Sequence, residues 1–582
     1  MKNYKKVYAA FILAGGLILH GCNGIFDDLA INPNQPSMGA YFTSPSAVND
    51  AVMTMYGYMS TQRCLGASGS KTTIIRSDEA SSNSDYGKPG MFGADLNASY
   101  YTIEQPYTLM YTTASQASYI IETAPSVDFS GNEELRNAYM GEAYFWRAFA
   151  HYYLLINFRN ISPIRQMPRN GDDYVRPLEK PAAVWNFIQE DLAHAKELLP
   201  VKGYWDSKNA GRVTKASAAA LLGKAYLYRS GIEQYYGEDK TTFYSEAAKE
   251  FGDVIDGKYG TYDLTKNYAD NFDVAHENNE ESILEFQFLG DVDNAGFNPG
   301  LATSGLAFDS RGLMLPGAGV GYEGVVHNWL YNAFVNSVDK DGYTDIRMFS
   351  TMIFNDLDAS IHLRNDAGGN LVRLEGPGGY KWEELYPAKN GKEGFATVSN
   401  PLAHSFKAGI RKGIDCSMPT QTEADGTPKL VGVGAGVKEY VYNQPRAHGV
   451  NWRYIRYADV LMMYAEAVVS GGTQASNMTP LQAVNKVRGR VNMSELPSVT
   501  MTDIQNERIL EFALEGHRFY DLLRWGKLAS RFTELQESDP NLKKFISADD
   551  FKGFVTNKHE WLPIPINEVN SNPYITENNP GY

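Results

Sequence analysis

Cysteine is scarce in this chain of 582 residues: three in all, too few for a fold stapled by disulfides. No CxxC or CxxH spacing suggests a zinc site, and the ten histidines are scattered. Basic charge is also short. With 53 Lys+Arg against 68 Asp+Glu the net charge is -15, which argues against a nucleic-acid binder, whose surface needs a basic face. After the first 22 residues no apolar run approaches the ~18 residues that would suggest a membrane-spanning helix. HExxH and GxSxG are both missing. GASGSKT (66–72) has Ser70 where a phosphate-binding loop needs Gly, and VGVGAG (431–436) has no following helix to bind a dinucleotide. Aromatic side chains, by contrast, are abundant, with 38 Tyr and 8 Trp, and a hydrophobic share of 43% excludes disorder.

The first cysteine reads as an address. Lys2, Lys5 and Lys6 precede an apolar stretch from Val7 to Leu19, the pattern of a secretory signal peptide. Leu19-His20-Gly21-Cys22 resembles a bacterial lipobox, in which the Cys is acylated and becomes the new N-terminus. Residues 1–21 are therefore expected to be a lipoprotein signal peptide, 22–45 a lipidated tether, and 46–582 a single body. Removing 1–21 takes away three Lys and no acid, leaving 50 basic against 68 acidic residues and a net charge of -18. Phe26-Asp27-Asp28 resembles the acidic tether of some surface-exported lipoproteins, and equally suits an ordinary polar linker. Cys64 and Cys416 either pair or remain as buried thiols.

Apolar residues recur at helical spacing in several segments. Residues 133–158 place Tyr144, Ala148, Tyr152 and Leu155 on one face. Pro181 opens another helix closed by Pro200, and Thr214 is placed to cap a third that Gly231 is expected to stop. Further helices are expected near 243–260, 456–472, 479–491 and 503–528. They fall into pairs, and Ala218, Ala220, Ala225 and Tyr226 follow the small-then-aromatic packing of tetratricopeptide helices. The fold class expected is mainly α: a tetratricopeptide-like scaffold of about four helix pairs, concentrated in 133–260 and 454–530, with long irregular insertions and a few short strands.

Between the helices lie Ser-, Gly-, Asn- and Tyr-rich residues 60–105 and a long Gly-rich stretch, about 289–450. Loops of this length are usually functional. Asp291-Val-Asp293 and Asp339-Lys-Asp341-Gly342 with Asp345 carry part of a calcium-loop rhythm without its closing Glu; no cofactor is expected, and a structural calcium is the open alternative. Trp146, Trp185 and Trp525 sit in helical patterns, whereas Trp205, Trp329 and Trp382 read as lying outside any helix. Such loop rings either pin their loops or stack on the apolar faces of sugars or peptides.

Taken in order, several segments resemble the SusD/RagB family of surface nutrient-binding lipoproteins. They are GEAYFWRAFAHYYLLINFRNISPI (141–164), GRVTKASAAALLGKAYLYRSG (211–231), NYADNFDVAHENNEESILEFQF (267–288), YIRYADVLMMYAEAV (454–468), AVNKVRGRV (483–491), ERILEFALEGHRFYDLLRWG (507–526) and WLPIPINEVNSNP (561–573). The resemblance implies a non-catalytic protein, lipid-anchored through Cys22 to the outer membrane and exposed at the cell surface. It also implies delivery of captured oligosaccharide to a SusC-like TonB-dependent transporter. Peptide capture by the same architecture and a surface hydrolase are the alternatives. By position in the family, the ligand contacts are expected among Asp78, Asp85, Tyr86, Tyr101, Trp329 and Trp382. Glu507, Glu511, Glu515, Arg518 and Arg524, at helical spacing, are read chiefly as ion networks between packed helices, with ligand contact by Arg518 and Arg524 as the alternative.

Overall fold

A computed structural model describes residues 42–82 and 96–288 (apart from 70 and 170), 450–539 and 553–582. It also describes short stretches between, chiefly 324–354, 359–364 and 407–412. The expected signal peptide, the lipidation site Cys22 and nearly all of the tether fall outside these residues, as does Cys416. Cys64 is buried and pairs with no cysteine among the described residues.

The body is built from helices in chain order: α1 (Pro45–Ser60), α2 (Tyr101–Thr123), α3 (Glu133–Phe158), α4 (Pro181–Leu198), α5 (Lys215–Tyr236) and α6 (Tyr244–Ile255). Then come α7 (Asn328–Val335), α8 (Arg347–Thr351), α9 (Tyr457–Val469), α10 (Pro480–Arg490), α11 (Met501–Glu511), α12 (Arg518–Arg524), α13 (Leu528–Ser538) and α14 (Ile566–Ser571). The local signals are visible at their ends. Asn132 accepts from the Leu135 N–H at the start of α3, and Thr214 with Ser217 forms a capping box on α5. Thr479 with Gln482, and Thr500 with Asp503, do the same for α10 and α11. Successive helices from α2 to α6 pack as neighbours, and α9 continues the stack by packing on both α6 and α10. This is the expected helical-repeat architecture, extended at its N-terminal end by α1 and α2. Gly223 lets α5 and α6 meet closely, since a Cβ there would lie 2.7 Å from the Phe251 ring.

Two expectations need correction. Gly231 does not end its helix; α5 runs on to Tyr236. Its glycine is needed instead because a Cβ would lie 2.4 Å from the Arg524 carbonyl oxygen of α12. Residues 503–528 do not form one helix either. The chain breaks after Glu511, with Leu514 at φ +61° and Gly516 at +85°. Backbone groups released by the break find charged or polar partners. Arg456 Nη2 donates to Glu511 O, Lys412 Nζ to Ala513 O and Trp452 Nε1 to Glu515 O, while the Leu514 N–H donates to Glu79 Oε1.

Strands are short. β1 (Ala80–Ser82), β2 (Ser282–Phe286), β3 (Gly324–Val326), β4 (Met352–Phe354), β5 (Ala408–Ile410) and β6 (Trp452–Arg456) are the ones that matter here. β2 and β6 pair antiparallel, with Phe286 opposite Trp452. The others form an antiparallel sheet in the order β1-β3-β5-β4, which joins the first quarter of the chain to the mid-chain insertion.

A buried ion network fastens that insertion to the helical body. Arg456 reaches Glu281 and Glu511 at 2.6 Å and Glu515 at 2.8 Å. Arg347 of α8 meets Glu511 at 2.9 Å and Glu507 at 2.5 Å, and Lys412 meets Glu515 at 2.9 Å. Burial pushes the Glu511 carboxyl up, but Arg490, Arg456 and Arg347 outweigh it and hold the group far below its ordinary range. The glutamates read from helical spacing as structural are structural, and two of their partners come from the insertion.

Candidate ligand-binding corner

The turn before β1 carries Asp78 and Glu79, both fully buried. The Asp78 carboxylate accepts from Arg518 Nε at 2.9 Å and Nη2 at 3.1 Å, and from Arg531 Nε at 2.6 Å. Burial alone would raise Asp78, yet the two guanidiniums hold it below the usual carboxylate range. Its backbone carbonyl accepts from the Trp329 indole N–H and lies 2.8 Å from His327 Nδ1. The other ring nitrogen of His327 is 2.6 Å from Ser81 Oγ. Arg531 lies over the Trp329 ring at 4.2 Å, and Arg518 at 5.5 Å. Among the described residues Glu79 makes no ion pair; burial pushes it up to about 8, against the opposing pull of the Leu514 N–H it accepts and of the Arg518 charge.

The structure therefore brings Asp78 and Trp329 together, with Asp78 as a buried holder and Trp329 as a half-buried ring. Trp329 sits in the first turn of α7 and not outside any helix; its apolar neighbours Leu330, Tyr331 and Phe334 supply the buried face that folds the segment. Tyr101 lies elsewhere, at the start of α2, with its ring 5.3 Å from that of Tyr100 and 40% exposed. Nearby, the Ile566 N–H donates to Ala98 O at 2.8 Å and Asn567 donates to Glu104. Glu104, Tyr107 and Tyr111 of α2 line a cavity of about 380 Å³ together with Arg176 and Glu568. Asp85, Tyr86 and Trp382 lie outside the described residues.

Arg531, His327 and Ser81 were not singled out from the sequence. Nothing in their local pattern distinguishes them, because each acquires its partner from a segment at least 246 residues away. Trp205 pins its loop: its indole N–H donates to Val213 O at 3.2 Å under the Arg212 guanidinium. The Asp339 turn does not converge on a cation. Asp339 accepts from the Asp341 and Tyr343 N–H groups, and Asp345 is committed to Arg347. Asp291 and Asp293 lie outside the described residues, among which no cluster suited to a metal occurs.

Two family models match the chain: "Starch-binding associating with outer membrane" over residues 31–227 and "SusD family" over 423–582. The chain belongs to the SusD/RagB family. The first match supplies Asp78, the second Arg518 and Arg531, and Trp329 comes from the insertion between them. The corner is thus where the two matched parts of the chain meet the segment between them. A SusD-like protein of Bacteroides ovatus is 23% identical, the match covering 99% of this chain and 98% of that protein. A SusD superfamily protein from Bacteroides vulgatus has the same fold, with TM-score 0.67 at 22% identity over 93% of this chain and 100% of its own. Surface glycan-binding protein A from Bacteroides thetaiotaomicron, solved in complex with laminarihexaose, is similar at TM-score 0.63 and 18% identity, over 92% of this chain and 100% of that one.

Proposed function

We propose that the protein is a non-catalytic glycan-binding lipoprotein, anchored to the outer membrane through lipid on Cys22 and exposed at the cell surface, with residues 46–582 as one ligand-capturing body. It captures oligosaccharides and delivers them to a SusC-like TonB-dependent transporter. The observation that carries this reading is the held aromatic ring of Trp329. Asp78 and two arginines fix the indole in a rigid corner, and a flat preorganised ring suits the apolar face of a sugar while Arg531 and neighbouring polar groups take hydroxyls. Family membership and the laminarihexaose complex of a related fold support it. No described helix is long and apolar enough to cross a membrane.

Asp85, Tyr86 and Trp382 are proposed to complete the surface around Trp329, with Tyr101 as an outlying contact. Asp78 acts by positioning. A glycan array should identify the ligand, after which Trp329→Ala and Trp382→Ala proteins that remain folded should bind it at least about tenfold more weakly. Undiminished binding in both would sink the assignment, and preference for peptides over every glycan would move the ligand class. A detergent pull-down should recover a large barrel partner; its repeated absence would count against the delivery step.

A further inference from the structure

On the helical body, a cavity of about 690 Å³ opens between the C-terminal ends of α5 and α9, the start of α11 and the end of α12. This size lies within the roughly 300–1,000 Å³ typical of small-ligand sites. It shares no residue with the Trp329 corner, so the two can fail independently.

Glu466 and Arg524 contribute buried side chains to its lining. Glu466 is 3% exposed; its Oε1 accepts from the Trp525 indole N–H at 3.0 Å and meets Arg524, while its Oε2 has no hydrogen-bond partner among the described residues. A buried carboxylate oxygen left without a donor is unfavourable unless a ligand or water supplies one. Arg524 is fixed on its other side by Asp521 at 2.9 Å, and its backbone is pressed against Gly231 of α5. Above this floor stand Tyr235, 52% exposed, and the polar side chains of Gln505 and Thr502. Gly526, at φ +65°, closes against the Tyr235 ring, where a Cβ would lie 2.5 Å from it.

We infer that this cavity is a second ligand site, for a neutral mono- or disaccharide unit. A carboxylate oxygen that needs a donor, beside a guanidinium that offers donors, matches a pair of adjacent sugar hydroxyls, each both donor and acceptor. The exposed Tyr235 supplies ring surface for the apolar face. A phosphorylated or acidic sugar would place its charge against Glu466.

The test uses full-length lipidated protein in a sugar-free detergent, with maltose, cellobiose and laminaribiose as probes in saturation-transfer NMR. At least one disaccharide should receive saturation from the wild type. Thr502→Trp, which fills the cavity, and Tyr235→Ala, which removes an exposed ring without touching the core, should each weaken that binding by about tenfold. Trp329→Ala should leave it unchanged. No transfer to any of the three, transfer insensitive to Tyr235→Ala, or transfer abolished by Trp329→Ala would overturn the proposal. An N-acetylated tripeptide bound in preference to all three sugars would overturn the saccharide assignment.

Discussion

Arg531 covers the Trp329 ring at 4.2 Å while its Nε donates to Asp78 Oδ2 at 2.6 Å. One residue therefore fixes both the indole, through its backbone carbonyl, and the cation above it, through its carboxylate. Removing it strips the buried Arg518 of its ion pair and leaves Arg531 only the exposed Glu534 at 3.0 Å. Asp78→Ala should lower stability by about 3–5 kcal/mol, the usual cost of breaking a buried pair. Urea unfolding measures this, and a change below about 1 kcal/mol would show that water reaches the arginines.

Glu79 provides a pH signature. Its carboxyl is raised from 4.5 to about 8 in the folded protein. Between those values the native state retains a proton that the unfolded chain has released, so this group makes stability fall as pH rises through the window. Glu79→Gln keeps an acceptor for the Leu514 N–H and removes the titration. The variant should gain on the wild type steadily from pH 5 to pH 8, as read from unfolding midpoints. A constant difference would refute the assignment.

Glu511 faces Arg347, Arg456 and Arg490, and is held ionised by them. Its contribution is present above the ordinary carboxylate range and is lost only in strong acid, as pH falls through the depressed folded value. At neutral pH Glu511→Gln should cost about 3–5 kcal/mol. Arg347→Met should be less than additive with it, because both break the same network. Full additivity would mean that α8 is held by something else.

Gly223→Ala tests the packing of α5 on α6. Alanine favours a helix by up to about 1 kcal/mol over glycine. Here its methyl would meet the Phe251 ring at 2.7 Å, an overpacking cost of about 1–3 kcal/mol. A lower thermal midpoint is expected, and a higher one would show that Phe251 swings aside without penalty.

Most helices were legible because their signals are local. Asn132, Pro181 and Thr214 stand at starts, and the small-residue face of α5 declares a packed interior. The break after Glu511 was not, since the apolar period runs straight through it. What stops the helix is remote: Glu79, Lys412 and Trp452 supply partners for backbone groups that a continuous helix would have paired internally. Gly231 misled for a related reason, its small size serving Arg524 of another helix and not a helix end.

By itself the sequence determined the helical repeats, the family and the acidic, aromatic-rich character of the chain, because capping, periodicity and ordered motifs are properties of neighbours along the backbone. Only the tertiary structure decided that Asp78 is a buried holder, that Trp329 rides on a helix beneath Arg531, and that Glu466 keeps one oxygen unpaired beside a cavity. Those facts depend on which distant charges burial forces together, and no local pattern encodes that.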